Sequence, residues 1–453
     1  MPGSTPMRIT IKGGTLVSST GSRPGDLLIE DGRVAAAGDL DPSGEIVDAA
    51  GLLVLPGMVD THVHLMDPGS TEREDFPTGT RAAAARGVTT IVEHTHARPV
   101  RSVDDLMEKR SYLEGRSNVD FGLAAHVWPE SIEHIPSLVD AGITFFKIFT
   151  CDTHGVPGLD PALAEAALTG IAASDSRALV HNEDQSLTAS AERRLRGAGR
   201  SDPTLLTEWR SRSAEHVAVA STAAAVLSTQ ARVTFAHVSN PAVLDVVDAF
   251  RNLGAAIAAE ACPQYFALDE AEVGTQGSLR KFTPPARIRD DGERAAMWDA
   301  VSADRFSFFS TDHAPSTLEQ KASGGIWDAP FGLPGLDTTL PFLIDAALAG
   351  RITMSDVVRL YSTQPARWYR LPKGTLDVGA DADLVLVDPA GSWLVADDDI
   401  ISKAGWSPYS GRRFQGQVVA TYLRGTAIAS DGVPADARGG RFVSPGPSAP
   451  VSG

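Results

Sequence analysis

The sequence predicts an α/β fold, namely a (β/α)8 TIM-like barrel with a small discontinuous β-sandwich domain built from both termini. Three observations support this prediction. Eight apolar runs alternate with alanine-rich, amphipathic segments, which is typical of parallel strands joined by helices. Eight such units in roughly 300 residues fit a (β/α)8 barrel, with a doubly wound open sheet as the alternative. Short β-like segments rich in turn residues flank this region on both sides.

The barrel strands are predicted from the apolar runs, in chain order, at residues 58–62, 88–94, 120–127, 143–149, 177–181, 233–237, 255–262 and 306–311. Amphipathic segments such as 241–252 separate them, and Pro241 suits the first position of a helix. The predicted domain boundaries are 1–55 and 373–435 for the two parts of the β-sandwich, 56–372 for the barrel and 436–453 for a disordered tail rich in Pro, Gly and Ser. Two separate β appendages are the alternative to a single discontinuous domain.

Composition excludes several classes of function. Lys and Arg number 40 and Asp and Glu number 57, which gives a net charge of −17. Such a surface repels polyphosphates and anionic membranes, so neither nucleic acid nor membrane is an expected partner. Two cysteines provide no disulfide framework, and no apolar stretch approaches the ~20 residues that span a bilayer. We therefore expect a cytoplasmic protein, and an enzyme is the leading hypothesis.

Histidines and an aspartate fall at the ends of the predicted strands. His62 and His64 end the first run, and alternate residues of a strand point to one side, so both imidazoles can reach one ion. His181, His237 and Asp312 end the fifth, sixth and eighth runs. The carboxyl ends of barrel strands form the face that carries barrel active sites. The sequence therefore predicts a metal site on this face.

Lys147 lies inside the otherwise apolar run 143–149. A buried ammonium without a partner is costly, so this lysine must shift its pKa, pair with a carboxylate or be modified. A neutral lysine can take up carbon dioxide, and the resulting carbamate has two oxygens that can bridge two divalent cations. A lysine that reaches solvent or pairs with a barrel carboxylate is the alternative. The histidines and aspartate at neighbouring strand ends favour the bridging role.

The order of these residues resembles the binuclear-metal amidohydrolase superfamily. Within it the chain resembles the cyclic amidohydrolases, which are the hydantoinases (dihydropyrimidinases), allantoinases and dihydroorotases. The resemblance covers residues 51–389 and is carried by ordered motifs, among them Gly57-Met-Val-Asp-Thr-His-Val-His64, Cys262-Pro-Gln-Tyr265, Thr311-Asp-His-Ala-Pro315 and Gly379-Ala-Asp-Ala-Asp-Leu-Val385. It implies a metal-dependent hydrolase that opens the ring of a cyclic amide or ureide, and a homodimer or homotetramer.

The resemblance also implies roles for the site residues. His62, His64 and Asp312 would hold the more buried of two divalent metals, His181 and His237 the more exposed one, and carboxylated Lys147 would bridge them. The metals would be zinc ahead of manganese, cobalt or iron. A hydroxide between them would attack the carbonyl carbon, and Asp312 would carry the proton to the leaving nitrogen.

Departures from the family pattern bear on the substrate. Met66 stands where dihydroorotases carry an arginine for the substrate carboxylate, so a neutral hydantoin- or allantoin-like ring is favoured. Asp152 replaces the tyrosine that hydantoinases use as an oxyanion donor. Thr283 and Phe331 stand at positions whose backbone atoms contact the substrate in hydantoinases. His94 and His96, an unexplained pair at the end of the second run, are further candidates for substrate binding.

Other functions remain as alternatives. They are a dihydroorotase-like enzyme, a hydrolase of lactams, lactones or acyclic amides on the same site, a mononuclear deaminase and a non-catalytic relative. Lys147 argues against a deaminase of this superfamily, because such enzymes lack the lysine. Six occupied ligand positions argue against a non-catalytic relative. His154, His313 and the segment 321–330, a candidate loop over the pocket, are left without an assigned role.

Overall fold

The computed structural model describes residues 7–447, whose strands form a barrel and a separate sheet domain. The strands are β1 (Arg8–Ser18), β2 (Gly21–Glu30), β3 (Arg33–Gly38), β4 (Glu45–Asp48), β5 (Leu53–Pro56), β6 (Met58–Val63), β7 (Val88–Glu93), β8 (Asp120–Leu123), β9 (Ala125–His126), β10 (Phe146–Phe149), β11 (Arg177–His181), β12 (Arg232–Phe235), β13 (Ile257–Ala261), β14 (Phe308–Phe309), β15 (Leu384–Leu394), β16 (Arg413–Leu423), β17 (Thr426–Ser430) and β18 (Val433–Pro434).

Helices separate the barrel strands along the chain. They are α1 (Phe76–Ala85), α2 (Val103–Leu113), α3 (Ile135–Asp140), α4 (Pro161–Ala173), α5 (Gln185–Gly197), α6 (Leu205–Trp209), α7 (Arg212–Thr229), α8 (Pro241–Asn252), α9 (Gln264–Ala267), α10 (Glu272–Gln276), α11 (Asp291–Ser302), α12 (Leu318–Ala322), α13 (Gly325–Asp328), α14 (Thr339–Leu348), α15 (Met354–Val358) and α16 (Gln364–Trp368). Asp75 and Ser102 cap α1 and α2 through side-chain oxygens, and α8 begins at the predicted proline. Within residues 7–447, none of these helices is long and apolar enough to cross a membrane.

The eight predicted runs form the parallel strands of a closed barrel. Strands β6 to β8 pair in one series and β9 to β14 in another. Strands β8 and β9 are successive parts of the third barrel strand, separated by Ala124, whose N–H donates to the carbonyl of Glu93. A parallel bridge between Val63 and His313 joins the first strand to the segment after β14. The predicted fold class is confirmed, and the carboxyl ends of the strands gather on one face.

Strands from both ends of the chain form one hydrogen-bonded sheet of nine strands. Its order is β18-β17-β16-β15-β5-β1-β2-β3, and β4 pairs with β1. The two halves meet where β5 and β15 run antiparallel. Along β15, Leu384 and Leu386 pack into the sheet domain's own core, whereas Val385 and Val387 join the core of the barrel. This alternation follows the two-residue period of a strand and fixes the sheet domain against the barrel.

The predicted disordered tail is ordered in its first part. The N–H of Phe121 in β8 donates to the carbonyl of Arg441, and the N–H of Val443 donates to the carbonyl of Phe121. The rings of Phe121 and Phe442 lie 5.9 Å apart, centroid to centroid. The prediction of disorder is therefore wrong for residues 436–447, because backbone hydrogen bonds hold a segment whose composition offers few apolar side chains. Residues 448–453 lie outside the described part of the chain.

Candidate functional site

The six predicted metal ligands surround one cavity at the carboxyl ends of the barrel strands. His62 and His64 come from the end of β6, Lys147 from β10, His181 from the end of β11, and His237 and Asp312 from the segments that follow β12 and β14. The structure thus brings together side chains that are distributed over 250 residues of sequence.

His62 and His64 are oriented by their Nδ1 atoms. The Nδ1 of His62 donates to Oε2 of Glu260 at 2.8 Å, and the Nδ1 of His64 donates to the carbonyl of His94 at 2.8 Å. Both Nε2 atoms consequently face Oδ1 of Asp312, at 3.2 Å and 3.5 Å. A histidine held at one nitrogen with the other directed into a site is the usual arrangement of a metal ligand.

Lys147 is buried, with 1% of its surface exposed, so it does not reach solvent. Its Nζ lies 3.3 Å from Nε2 of His62, and no carboxylate in residues 7–447 is within ion-pair distance of it. Burial lowers the pKa of Lys147 to about 8, although the charges of Asp312 and Glu260 oppose this shift. A lysine with this pKa is partly neutral near pH 8, which is the form that reacts with carbon dioxide.

His181 and His237 form the second histidine pair. Nδ1 of His181 lies 2.9 Å from Nε2 of His237, while Nδ1 of His237 has no hydrogen-bond partner in the described structure. The backbone of His237 has φ of 38°, and that of Asp312 has φ of 50°. Both values lie in the left-handed region that residues other than glycine rarely adopt, and such strain is typical of functional sites.

Two buried glutamates that sequence reasoning missed support these ligands. Oε2 of Glu260 accepts hydrogen bonds from Nδ1 of His62 and from the backbone N–H of His237, both at 2.8 Å. Burial raises the pKa of Glu260 despite these donors. The sequence did contain a signal, because Glu260 is the only charged residue of the run 255–262. A lone acid in a buried strand requires a partner.

Glu183 is the second missed glutamate and lies two residues after His181. Its Oε2 accepts from Nε2 of His181 at 2.8 Å, from the hydroxyl of Thr283 at 2.6 Å and from Nη1 of Arg210 at 3.1 Å. Burial would raise the pKa of Glu183, but Arg210 and His181 outweigh burial and lower it to about 2. Glu183 is therefore an anion that orients His181.

Most of the predicted substrate contacts reach the cavity wall. Met66, His96, Thr283 and Phe331 line it, together with His154, which stacks on His96 at 4.6 Å. His94 is buried beside His62 and His64 and does not line the cavity.

Asp152 does not reach the cavity. Its carboxylate is exposed and accepts from the N–H of Gly158 at 2.8 Å and from Nε2 of Gln185 at 2.9 Å. The prediction that Asp152 contacts substrate is not supported, because this acid instead organises the loop after β10.

His313 and the segment 321–330 are parts of the framework. Nδ1 of His313 accepts from the backbone N–H groups of Gly335 and Leu336, at 3.0 Å and 3.2 Å. In the segment 321–330, which contains α13, the buried Lys321 donates to the carbonyl groups of Lys281 and Pro330. These contacts anchor the segment beside Phe331 on the cavity wall.

Arg73 is a cation on the cavity wall that the sequence did not reveal. Its guanidinium donates to the carbonyl groups of Pro315 and Phe331 and to the hydroxyl of Ser316, at 3.0–3.1 Å. Burial lowers the pKa of Arg73 to about 10. No carboxylate of residues 7–447 lies within ion-pair distance of Arg73, although the charge of Glu72 opposes the effect of burial on its pKa.

The residues of the cavity fit a binuclear metal centre. Burial lowers the pKa of His62, His181 and His237, which keeps these imidazoles neutral and able to bind metal. His237 lines the cavity, and its buried Nδ1 has no hydrogen-bond partner in the described structure. Imidazole and carboxylate donors suit zinc and other divalent transition metals.

Several known proteins are similar to this chain in sequence and in fold. The pattern of the Amidohydrolase family matches residues 53–428. The chain is 33% identical to an allantoinase of Rubrobacter xylanophilus, over 96% of this chain and 97% of that protein. It is 34% identical to a dihydroorotase of Halobacterium salinarum, over 92% of this chain and 98% of that protein. The solved structure of an L-hydantoinase (dihydropyrimidinase) from Arthrobacter aurescens matches with a TM-score of 0.91 at 29% identity, covering 96% of this chain and 99% of that chain.

Proposed function

Because the chain belongs to the amidohydrolase family, we propose that it is a metal-dependent hydrolase that breaks the C–N bond of a cyclic amide or ureide and so opens the ring. One observation carries this proposal: six ligand-type side chains from the ends of different barrel strands surround a single cavity. Relatives named allantoinase, dihydroorotase and hydantoinase support the same reaction class.

We propose that two divalent metals, zinc in the first instance, bind in this cavity. His62, His64 and Asp312 would hold one metal, His181 and His237 the other, and carboxylated Lys147 would bridge them. When bound, such metals polarise the scissile carbonyl and lower the pKa of water from 15.7 to about 7. The lowered pKa of Lys147 supports its carboxylation, because only the neutral amine forms a carbamate.

The protein's own residues position the reactants and move the proton. Asp312 lines the cavity and its side chain is 13% exposed, so it can take the proton of the attacking water and deliver it to the leaving nitrogen. Glu260 and Glu183 hold the histidines, and Thr283 donates its hydroxyl to Glu183. The hydroxyl hydrogen of Thr283 is therefore committed to Glu183, and only its hydroxyl oxygen and its backbone groups are left to contact a substrate ring.

For the substrate, we propose a neutral five- or six-membered ring, with hydantoin- and allantoin-like rings ahead of dihydroorotate. The side chain of Met66, on the cavity wall, carries no charge. A ring carboxylate buried against Met66 would lack the partner that a buried charge requires.

A ring that carries an acidic group is the second candidate, because Arg73 lines the same cavity without a carboxylate partner in the described structure. Arg73 already donates to three protein oxygens, which limits the donors left for a substrate. Lactones, other lactams and acyclic amides would use the same machinery.

Steady-state rates for allantoin, hydantoin, dihydrouracil and dihydroorotate, measured with zinc-loaded protein, test the proposal. We expect allantoin or hydantoin to have the highest kcat/KM, and Asp312→Asn to abolish turnover of every ring. If dihydroorotate is best and Arg73→Gln removes that preference selectively, the neutral-ring proposal is wrong. If protein with two bound metals opens none of the four rings, these rings are not its substrates.

The assembly and the location of the protein are also proposals. By analogy with its relatives, we propose a homodimer or homotetramer, which light scattering coupled to size-exclusion chromatography will measure. The free cysteines Cys151 and Cys262 are both buried, and burial raises the pKa of both thiols. Unpaired thiols support the reducing cytoplasm as its location.

A further inference from the structure

Two stacked imidazole rings form part of the cavity wall beside the predicted metal ligands. The rings of His96 and His154 lie 4.6 Å apart, centroid to centroid, with 6° between their planes, and both side chains line the cavity. The ring of His96 lies 4.3 Å from that of His64, so the pair begins next to a predicted ligand. A molecule whose scissile bond lies at the metal ligands would therefore place another part of itself against this pair.

The loop after β10 presents His154 to the cavity. Thr153 and Val156 exchange two backbone hydrogen bonds, and His154 and Gly155 between them have φ of 54° and 76°. Two consecutive left-handed residues are typical of a tight hairpin turn, and histidine is one of the residues enriched in this conformation after glycine. The exposed carboxylate of Asp152 accepts from a backbone N–H of the same loop and stabilises it. The loop therefore directs the side chain of His154, and not that of Asp152, to the cavity.

The four ring nitrogens of this pair have no partner in the described structure. Nδ1 of His96 is buried and forms no hydrogen bond. Nε2 of His96 and both nitrogens of His154 likewise bond to no atom of residues 7–447. Polar atoms that are removed from water normally have a hydrogen-bond partner. A molecule that fills the cavity excludes water from these nitrogens and must itself supply their partners.

The chemical state of the rings decides which partner fits. Burial lowers the pKa of His154 well below its ordinary value, and nearby His181 and Arg73 act in the same direction, so the ring is neutral. A neutral imidazole has one N–H donor and one nitrogen acceptor. A carboxylate offers only acceptors and an alkyl group offers neither. An amide or a urea is planar and offers both a carbonyl oxygen and N–H groups, which matches the pair.

We propose that His96 and His154 form a polar subsite for a neutral amide or urea group that the substrate carries outside its scissile bond, an inference that rests on the proposed hydrolysis of cyclic amides. One ring nitrogen donates to the carbonyl oxygen of this group, and another accepts from its N–H. An alkyl substituent at the same place would leave the ring nitrogens unpaired, and the subsite discriminates against it for that reason. The preferred substrate is therefore a ring with an amide- or urea-bearing side chain.

Two hydantoins of nearly identical shape test this inference. In 5-(carbamoylmethyl)hydantoin a primary amide takes the place of the isopropyl group of 5-isobutylhydantoin. The kcat/KM of metal-loaded protein should be at least about tenfold higher for the amide compound. His96→Phe keeps a planar ring without nitrogens, and it should lower kcat/KM at least about tenfold for the amide compound and less than about threefold for the isobutyl compound.

Two further variants separate the subsite from general effects on the fold. His154→Gly, which the left-handed backbone at this position accepts, should show the same selective loss. The matched control is His126→Phe, because His126 packs on His96 at 5.3 Å but does not line the cavity. We expect both rates of this control to stay within about threefold of the unmodified protein, since no ring nitrogen of the pair is lost.

Equal kcat/KM for the two hydantoins in the unmodified protein, or an equal loss of both in His96→Phe and His154→Gly, would overturn the proposal. If metal-loaded protein opens neither ring, the cyclic-amide proposal fails for these compounds, and calorimetric titration with the same two compounds tests the subsite alone. A dissociation constant at least about tenfold lower for the amide compound, with the difference lost in His96→Phe, would support the subsite. Equal constants, or no binding of the amide compound, would overturn it.

Discussion

Replacing Glu260 by glutamine tests whether this buried acid is needed to hold the metal ligands. Oε2 of Glu260 accepts from both His62 and the backbone of His237, so one carboxylate serves ligands of both metals. Glutamine has the same shape, but it has no charge and only one acceptor oxygen. Burial raises the pKa of Glu260 to about 8, so the variant changes the acceptor and the proton of the group more than its charge, while it preserves the packing around β13.

The expected size of the effect follows from these two contacts. A hydrogen bond to a charged group contributes about 1.5–3 kcal/mol, and 1.4 kcal/mol corresponds to a factor of ten. Replacing the carboxylate oxygen that accepts from both groups by the weaker acceptor of an amide should weaken zinc binding by up to about tenfold to 100-fold, which is the range found when partners of metal-bound histidines are altered. The protein should remain folded, because the volume of the side chain does not change.

Competition with a chromogenic zinc chelator, with a thermal melt as a folding check, measures this effect. The matched control is Glu215→Gln, since Glu215 is also buried but bonds to Ser239 instead of a ligand. We expect wild-type affinity in the control. Zinc affinity of Glu260→Gln within about twofold of wild type, or an equal loss in both variants, would refute the role given to Glu260.

Three further predictions concern the metals and the stability of the fold. Elemental analysis of protein purified without chelator should give about two divalent metals per chain, and full activity at one metal would remove the bridging role of Lys147. Lys147→Ala should lose at least half of its metal and most of its activity, and short carboxylic acids should partly restore both; unchanged metal content would contradict this. Lys373→Met should lower the free energy of unfolding by about 3–5 kcal/mol, because Lys373 pairs with Asp120, Asp381 and Asp383, and its loss leaves the buried Asp383 without an ion-pair partner in the described structure. Urea unfolding measures the change, and a loss below about 1 kcal/mol would show that the acids become protonated instead.

The sequence was most informative about residues that directly follow the parallel strands of the barrel. His62, His64, His181, His237 and Asp312 could be placed together because all follow apolar runs, and parallel strands bring their ends to one face. Lys147 stood out because charge is costly inside such a run. These inferences needed only local patterns and the topology of the barrel.

The sequence was least informative where contacts join distant loops. Arg73 reaches the cavity only because the segment after Asp312 bends toward it, and no periodic pattern encodes that approach. Asp152 follows a ligand strand as expected, yet its carboxylate accepts from Gln185, 33 residues further along the chain, and lies away from the cavity. Residues 436–447 are held by backbone hydrogen bonds, which leave no trace in composition.

The pairing of β5 with β15 has a consequence for how the protein is made. Leu53–Pro56 leaves the ribosome more than 300 residues before its neighbour Leu384–Leu394, so β5 keeps an unpaired edge during most of synthesis. An open strand edge is a template for pairing with other chains. Nascent chains interrupted before β15 should therefore aggregate, because β5 then keeps its open edge.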